Sequence, residues 1–92
     1  MTQDAAETVA VAALVWIAAD PERATAFLAT SGASVADLRE GAQDPAFLGF
    51  VMDFLLGDDQ AVIAFAGHHG CHPEEVMQAR AALPGGDLPH WT

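Results

Sequence analysis

The chain has 92 residues, of which 52% are hydrophobic, with one cysteine and a formal net charge of −10. Its length suits one domain with a single core, and one cysteine excludes a disulfide within the chain. With three Arg, no Lys and 13 acidic residues, it lacks the clustered cations that bind nucleic acid or anionic lipid, so neither nucleic acid nor membrane is expected as a partner.

The start of the chain does not resemble a secretory signal. Met1–Asp4 is acidic where a signal peptide carries a basic region, and the apolar run from Val9 to Ala19 is too short to span a bilayer. A cytoplasmic location is therefore expected.

Three dipeptides that favour helix starts divide the chain. Asp20-Pro21 and Asp44-Pro45 each join a good N-cap to the residue best tolerated at the first helical position, and His72-Pro73 has the same form. The segments between them are rich in Ala, Leu and Phe. We therefore predict an all-α fold, a single bundle of five or six short helices over residues 1–84, with a C-terminal tail at 85–92.

The first two predicted helices are separated by Asp20-Pro21. The first covers about residues 4–19, with Trp16 on a different side from its main apolar stripe, so it is expected to lie between other helices. That stripe comprises Val11, Leu14, Val15, Ile17 and Ala18. The second covers about residues 21–31 and ends at Gly32. Its inward residues are expected to be Ala24, Phe27 and Leu28.

A short third helix is predicted from the capping pattern at Ser34. Asp37, three residues later, supplies the second half of a capping box, and Gly41 ends the helix. Val35 and Leu38 are expected to face inward.

The fourth predicted helix, at about 45–56, is apolar nearly all round and is expected to be the centre of the bundle. Gly49 indicates a close helix crossing, since glycine inside a helix costs about 1 kcal/mol relative to alanine. Asp53 is the only charge of this helix. Its candidate partners are Arg23, Arg39 and Arg80.

The last two predicted helices cover about residues 59–69 and 73–83. The residues of the fifth that are available for burial are Val62, Ile63, Phe65 and Ala66. Pro84 and the two glycines after it end the sixth helix. In the tail, Trp91 either docks back on the body, which is the favoured reading, or serves as an exposed motif.

A faint internal repeat relates residues 38 positions apart. The matched pairs are Asp20 with Asp58, Ala26 with Ala64, Phe27 with Phe65, Gly32 with Gly70, Ser34 with His72, and Asp37 with Glu75. Each copy reads as helix, glycine stop, cap and helix. The repeat predicts two helical hairpins that flank the fourth helix.

Most acidic residues lie at or near predicted helix starts, where they can cap N–H groups and oppose the helix dipole. This use explains the acidity better than a basic partner does. Ser31 and Ser34 are assigned to a helix end and a cap, and no glycine-rich phosphate loop with a Lys is present. We therefore expect no enzyme activity, no catalytic residue and no cofactor.

His68, His69, Cys71 and His72 form the one cluster of potential metal ligands. Their spacing is poor for a tetrahedral site, which His90 or a second subunit would have to complete. The alternative assigns the first two histidines to the helix C-terminal dipole, the thiol to the core and His72 to a cap. A metal site is therefore not favoured. A reactive thiol at Cys71, stabilised as thiolate by the following helix and its His neighbours, is the redox variant.

Four ordered motifs suggest a known family. They are the strings Leu14–Arg23, Asp44–Leu48, Asp53–Leu56 and Pro73–Val76. The chain resembles, over about residues 8–84, a family of short bacterial proteins, mostly alphaproteobacterial, classed as a domain of unknown function. The resemblance implies a compact helical fold in an intracellular bacterial setting, without an assigned activity, cofactor or catalytic residue. The His-rich stretch departs from the family pattern.

The function predicted from these features is a noncatalytic protein–protein interaction or regulatory module, with a partner protein or a second copy of the chain as occupant. The alternative is a metal- or redox-responsive module built on Cys71 and its histidine neighbours. A third hypothesis is a small-molecule pocket between Phe50, Phe54 and Phe65.

Overall fold

The computed structural model describes residues 1–84 as six α-helices joined by short turns. The helices are α1 (Gln3–Ala18), α2 (Pro21–Ser31), α3 (Val35–Gly41), α4 (Pro45–Leu56), α5 (Asp59–His69) and α6 (Pro73–Ala81). This part of the chain contains no strand. The predicted all-α bundle is thus confirmed, with bounds that agree to within two residues. The predicted tail at 85–92, with His90 and Trp91, lies outside the described residues.

Side chains cap the starts of α2 to α5 as the sequence predicts, whereas the predicted cap residue of α6, His72, makes no side-chain hydrogen bond to the first turn of that helix. Asp20 Oδ2 accepts a hydrogen bond from the Arg23 amide at 2.9 Å, and Asp58 Oδ1 accepts one from the Gln60 amide at 3.0 Å. Asp44 does the same for α4. At α3 the predicted capping box is complete: the Ser34 hydroxyl accepts from the Asp37 amide, and the Asp37 carboxylate accepts from the Ser34 amide. These carboxylates satisfy N–H groups that a helix start leaves without partners.

Gly32 and Gly70 end α2 and α5 in the same way. Their φ angles are +72° and +84°, in the left-handed region that favours glycine. Within residues 1–84, these two glycines are the residues with a positive φ angle. Both predicted glycine stops are confirmed.

Two helices share the centre of the bundle. α4 packs against α1, α3, α5 and α6, as expected for the apolar helix at 45–56. α1 is equally central, since it packs against α2, α4, α5 and α6. No described helix is long and apolar enough to cross a membrane.

The buried face of α1 differs from the prediction. Ala6, Ala10 and Ala13 are fully buried, and they continue into Leu14 and Ile17 at helical spacing. The predicted members Val15 and Ala18 are exposed, Val15 by 63%. The reason is that close packing of α1 on its neighbours selects small alanines for the interface, and a prediction based on side-chain hydrophobicity selects the valines instead.

Two further residues expected in the core are exposed. Val35 and Ile63 are each 63% exposed. Val35 lies in the first turn of α3, a seven-residue helix that packs mainly on α4. In that helix Gly41 is buried and Leu38 is partly buried, and the other side chains are exposed. In α5, Val62, Phe65 and Ala66 form the inward face, and Ile63 is turned away from it.

The 38-residue repeat extends over the whole bundle. α5 covers the positions of α2 shifted by 38, and α4 and α6 correspond in the same way to the later part of α1 and to α3. Burial follows the repeat as well. Buried pairs are Ala10 with Leu48, Ala13 with Val51, Leu14 with Met52, Ile17 with Leu55, and Phe27 with Phe65. The chain is therefore built of two sequence units of three helices each, α1–α3 and α4–α6. The hairpin of α5 and α6 packs on α4, as predicted, whereas α2 packs mainly on α1. The packing of the two units differs, since α6 contacts α1, α4 and α5 and its counterpart α3 contacts mainly α4.

Candidate functional site

A surface groove of about 830 Å³ opens where α1, α2, α4 and α5 meet. We call it the α2–α5 groove. Its lining comprises Trp16, Ile17, Asp20, Glu22, Arg23, Ala26, Thr30, Asp53, Phe54, Leu55, Gly57, Asp58, Gln60, Ala61 and Ala64. The volume lies within the usual range of ligand pockets.

The floor of the groove is apolar and comes from the ends of the two central helices. Ile17 and Leu55 are 1% exposed, and Trp16 is 8% exposed. Phe54 is half-buried. Small side chains at Ala26 of α2 and at Ala61 and Ala64 of α5 leave the space above this floor open.

An arginine covers one of the two aromatic rings. The guanidinium carbon of Arg23 lies 3.6 Å from the centroid of the Trp16 ring. This is a cation–π contact, worth about 0.5–2 kcal/mol according to its exposure. The geometry follows from the local fold, because Asp20 caps the amide of Arg23 and so fixes the first turn of α2 over the end of α1.

The rim of the groove is acidic. Asp20, Glu22, Asp53 and Asp58 line it, and Arg23 is the one cationic side chain among the described lining residues. The balance of charge at the groove is therefore negative, like that of the whole chain.

Arg80 of α6 neutralises one of these carboxylates. Its Nε donates to Asp53 Oδ1 at 2.6 Å and its Nη2 donates to Asp53 Oδ2 at 3.1 Å, a bidentate pair. Its Nη1 donates to the Pro84 carbonyl at 3.0 Å. Of the three candidate partners for Asp53, the structure selects Arg80.

Gly49 gives this arginine room, and the predicted close crossing at Gly49 is confirmed. A Cβ at Gly49 would lie 3.0 Å from Arg80 Nη1 and 3.2 Å from the carbonyl oxygen of Pro84. The Arg80 side chain and the backbone just after α6 thus lie so close to α4 that only a glycine is tolerated there without a shift of the arginine or of the backbone.

The internal repeat maps onto the groove. Lining residues related by 38 positions are Trp16 and Phe54, Ile17 and Leu55, Asp20 and Asp58, Glu22 and Gln60, Arg23 and Ala61, and Ala26 and Ala64. The two units therefore contribute equivalent positions to a common groove. The side chains differ most in the pair of Arg23 and Ala61, where the first unit has a long cation and the second a methyl group.

The potential metal ligands at residues 68–72 do not converge. His69 stacks on Phe65, with ring centroids 5.3 Å apart and an interplanar angle of 12°. Cys71 is half-buried against the core, and the amide of His72 donates to Glu75 Oε2 at 2.9 Å. His68 is exposed at the end of α5. Within residues 1–84, the structure contains no group of three or more His, Cys, Asp and Glu side chains placed to share a metal ion.

Burial raises the pKa of the Cys71 thiol above its ordinary value, and the negative charge of Glu75 raises it further. A hydrogen bond from the backbone amide of Cys71 acts in the opposite direction and is the smallest of the three effects. The direction of this shift disfavours the redox variant, in which the following helix start stabilises a thiolate, because burial and the charge of Glu75 both act against the ionised form.

The hypothetical pocket between Phe50, Phe54 and Phe65 does not form. Phe50 packs against Phe27, with ring centroids 5.7 Å apart, whereas Phe65 is fully buried at the other side against Trp16. Of the three rings, only Phe54 lines the α2–α5 groove. The repeat explains the separation. Phe54 is equivalent to Trp16 and lines the groove with it, whereas Phe65 is equivalent to the buried Phe27.

Sequence reasoning missed the pairing of Arg23 with Trp16. The two residues are seven positions apart and lie on consecutive helices, so helical periodicity does not relate them. The available signal was the Asp-Pro turn between them, which reverses the chain and places the first turn of α2 beside the last turn of α1.

The profile of the family described as "Protein of unknown function (DUF3572)" matches residues 3–86, and the chain belongs to this family. The predicted membership of a domain-of-unknown-function family is thereby confirmed. No curated protein and no solved structure matches the chain.

Proposed function

We propose that this member of the DUF3572 family is a noncatalytic interaction module that binds a segment of a partner protein in the α2–α5 groove. The observation that carries the proposal is the combination, in one groove of about 830 Å³, of an apolar floor and an acidic rim. Apolar surface supplies affinity on burial, and charge at the rim supplies orientation and partner choice.

The walls of the groove favour a peptide segment as the occupant. Ala26, Ala61 and Ala64 leave room for side chains of a partner between α2 and α5. The negative rim favours a partner segment that carries positive charge, because the carboxylates of the rim would repel an acidic segment.

The acids of the groove support binding rather than catalysis. Asp20 and Asp58 each accept hydrogen bonds from backbone amides at a helix start, and Asp53 holds Arg80. These carboxylates are thus engaged in holding the fold. The described lining contains no Ser, Cys or His, and its other polar residues are Glu22, Arg23, Thr30 and Gln60.

The test is a pair of tryptophan variants. Ala64 is exposed on the groove wall, so Ala64→Trp should fill the groove without disturbing the core. Ala36→Trp, on the exposed surface of α3, is the matched control. Proteins retained by the tagged chain in native cells are compared between the variants, and a candidate is then purified and its Kd measured.

The proposal expects a purified partner whose affinity falls at least tenfold with Ala64→Trp and less than twofold with Ala36→Trp. It is overturned when every purified partner binds both variants equally. It is also overturned, in favour of a homodimer, when sedimentation shows micromolar self-association that Ala64→Trp abolishes.

The metal- or redox-responsive alternative based on Cys71 and His68, His69 and His72 has no observation in its favour within residues 1–84. The side chains lie in different surroundings, and burial raises the pKa of the Cys71 thiol. We therefore do not propose it.

A further inference from the structure

Two ring contacts beside the α2–α5 groove are reciprocal between the two units. Trp16 of the first unit contacts Phe65 of the second, and Phe54 of the second contacts Phe27 of the first. Each contact becomes the other when the units are exchanged, because the residues are equivalent by the shift of 38. Such reciprocity is the property of a twofold interface.

One half of the groove contains a cation on its aromatic ring and the other does not. Arg23 covers Trp16 at 3.6 Å. At the equivalent position of the second unit the residue is Ala61, which lines the groove together with Phe54. The second unit therefore presents a half-buried aromatic ring without the guanidinium that its counterpart carries.

The charges around Phe54 suit a cation. Asp53, which precedes it in α4, and Asp58, which caps α5, line the same groove. The carboxylate of Asp53 is 54% exposed even while it pairs with Arg80, so part of it faces the solvent of the groove. Asp58 is exposed as well.

We propose that the α2–α5 groove binds an arginine side chain of the partner, with its guanidinium on the Phe54 ring, in the position that Arg23 occupies on Trp16. This inference rests on the proposed function and names the chemistry of the partner. The contact between Arg23 and Trp16 in the first unit thus corresponds to the contact that the partner's arginine makes with Phe54 in the second.

Arginine fits this position better than lysine does. A guanidinium is planar, stacks on aromatic faces and is more weakly hydrated than an ammonium group. The groove, with a volume of about 830 Å³ and an alanine at position 61, has room for a side chain of this length.

The direct test is a titration with a blocked tripeptide, acetyl-Gly-Arg-Gly-amide, followed by NMR of the Phe54 ring and the Ala61 methyl group. Matched tripeptides carry lysine or citrulline in place of arginine. We expect saturable shifts at Phe54 and Ala61 with arginine, at least threefold weaker binding with lysine, and none with the uncharged citrulline. Equal binding of the arginine and citrulline peptides overturns the inference.

Two variants of equal charge separate site occupancy from general attraction to an acidic protein. Ala61→Arg places an internal guanidinium over Phe54 and should reduce tripeptide binding at least tenfold. Ile63→Arg adds the same charge on the exposed face of α5, outside the groove, and should change binding less than twofold. Equal effects of the two variants would reduce the contact to nonspecific electrostatics and overturn the inference.

A gain of binding gives a readout that loss of folding cannot produce. Arg23→Ala uncovers Trp16, so this variant should bind a second tripeptide, with new shifts at the indole of Trp16. Shifts that stay confined to Phe54 contradict the proposed equivalence of the two halves.

The outcomes also distinguish this inference from the proposed function. When Ala64→Trp removes a protein partner but Ala61→Arg does not weaken it, the groove docks a partner without an arginine on Phe54. When the tripeptide binds at Phe54 but no purified partner depends on Ala64, the guanidinium site is present and the interaction module is wrong.

Discussion

The rings of Trp16 and Phe65 pack in an edge-to-face arrangement, with centroids 5.7 Å apart and planes inclined by 63°. The contact joins the two units of the fold at one side of the α2–α5 groove. Its counterpart, shifted by 38 positions, joins them at the other side. Each unit thus places one aromatic ring, Trp16 or Phe54, on a buried phenylalanine of the other unit. Both of these rings line the α2–α5 groove.

The two buried phenylalanines that make these contacts, Phe27 and Phe65, should be of similar importance for stability. Both are at most 1% exposed. We expect Phe27→Ala and Phe65→Ala each to lower the free energy of unfolding by about 3–5 kcal/mol, measured by urea denaturation in the cold. Thr25→Ala, on the exposed face of α2, is the control with little effect. A cost below 1 kcal/mol for either phenylalanine would show that the units are not equivalent in the core.

The contact between Arg23 and Trp16 should be measurable as stability and as fluorescence. Arg23→Ala is expected to lower the free energy of unfolding by about 0.5–2 kcal/mol and to change the emission of Trp16, measured in a Trp91→Phe background. Arg39→Ala removes the same charge from the exposed surface of α3 and should leave the emission unchanged. An unchanged emission spectrum in Arg23→Ala would exclude the stacked arrangement.

Two glycines inside helices should respond in opposite directions to alanine. Gly67 in α5 has nothing within 4 Å of its Cβ position, so Gly67→Ala should raise stability by about 0.5–1 kcal/mol through helix propensity. Gly49→Ala should fail to stabilise, because its Cβ meets Arg80 and the Pro84 carbonyl. Thermal unfolding of the two variants checks this. A gain at Gly49 equal to that at Gly67 would show that α6 does not cross α4 at this distance.

The thiol of Cys71 should be slow to react and should make stability fall at high pH. Its pKa is raised in the folded chain by burial and by Glu75, so folding favours the protonated form. The unfolded thiol ionises first as pH rises, and the folded state therefore loses stability from about pH 9 upward to the folded pKa. The measurements are the rate of iodoacetamide alkylation at pH 8, in buffer and in urea, and urea unfolding between pH 8 and 10.

Glu75→Gln provides the control for that prediction. Glutamine keeps an oxygen that can accept from the His72 amide, but removes the charge that acts on Cys71. Alkylation of the folded variant should therefore be faster than that of the folded parent chain. Faster alkylation of the folded parent chain than of its unfolded form would contradict a raised pKa.

The helix boundaries could be predicted because local chemistry determines them. Asp20 and Asp44 cap the following helices, and Gly32 and Gly70 take the left-handed conformation that stops the preceding ones. Each of these signals acts over a few residues. None requires knowledge of which helices pack together.

The core and the groove depended on contacts that local patterns do not contain. Alanine is neutral in a hydrophobicity pattern, so the pattern does not distinguish the buried face at Ala6, Ala10 and Ala13 from an exposed one. The same pattern predicts that Val15 is buried, and this prediction is wrong. The repeat was visible only through its few identical residues. Its wider extent, including the equivalence of Trp16 with Phe54, required the burial and the ring contacts of the folded chain.

The central claim is that partners bind in the α2–α5 groove, and NMR of the isotope-labelled chain titrated with a purified partner tests it most directly. The account predicts that shifts concentrate at Ala26, Phe54, Ala61 and Ala64, with little change at the exposed Val35 and Met77 of α3 and α6. Shifts centred on Val35 or Met77, with Phe54 and Ala61 unmoved at saturation, would contradict it.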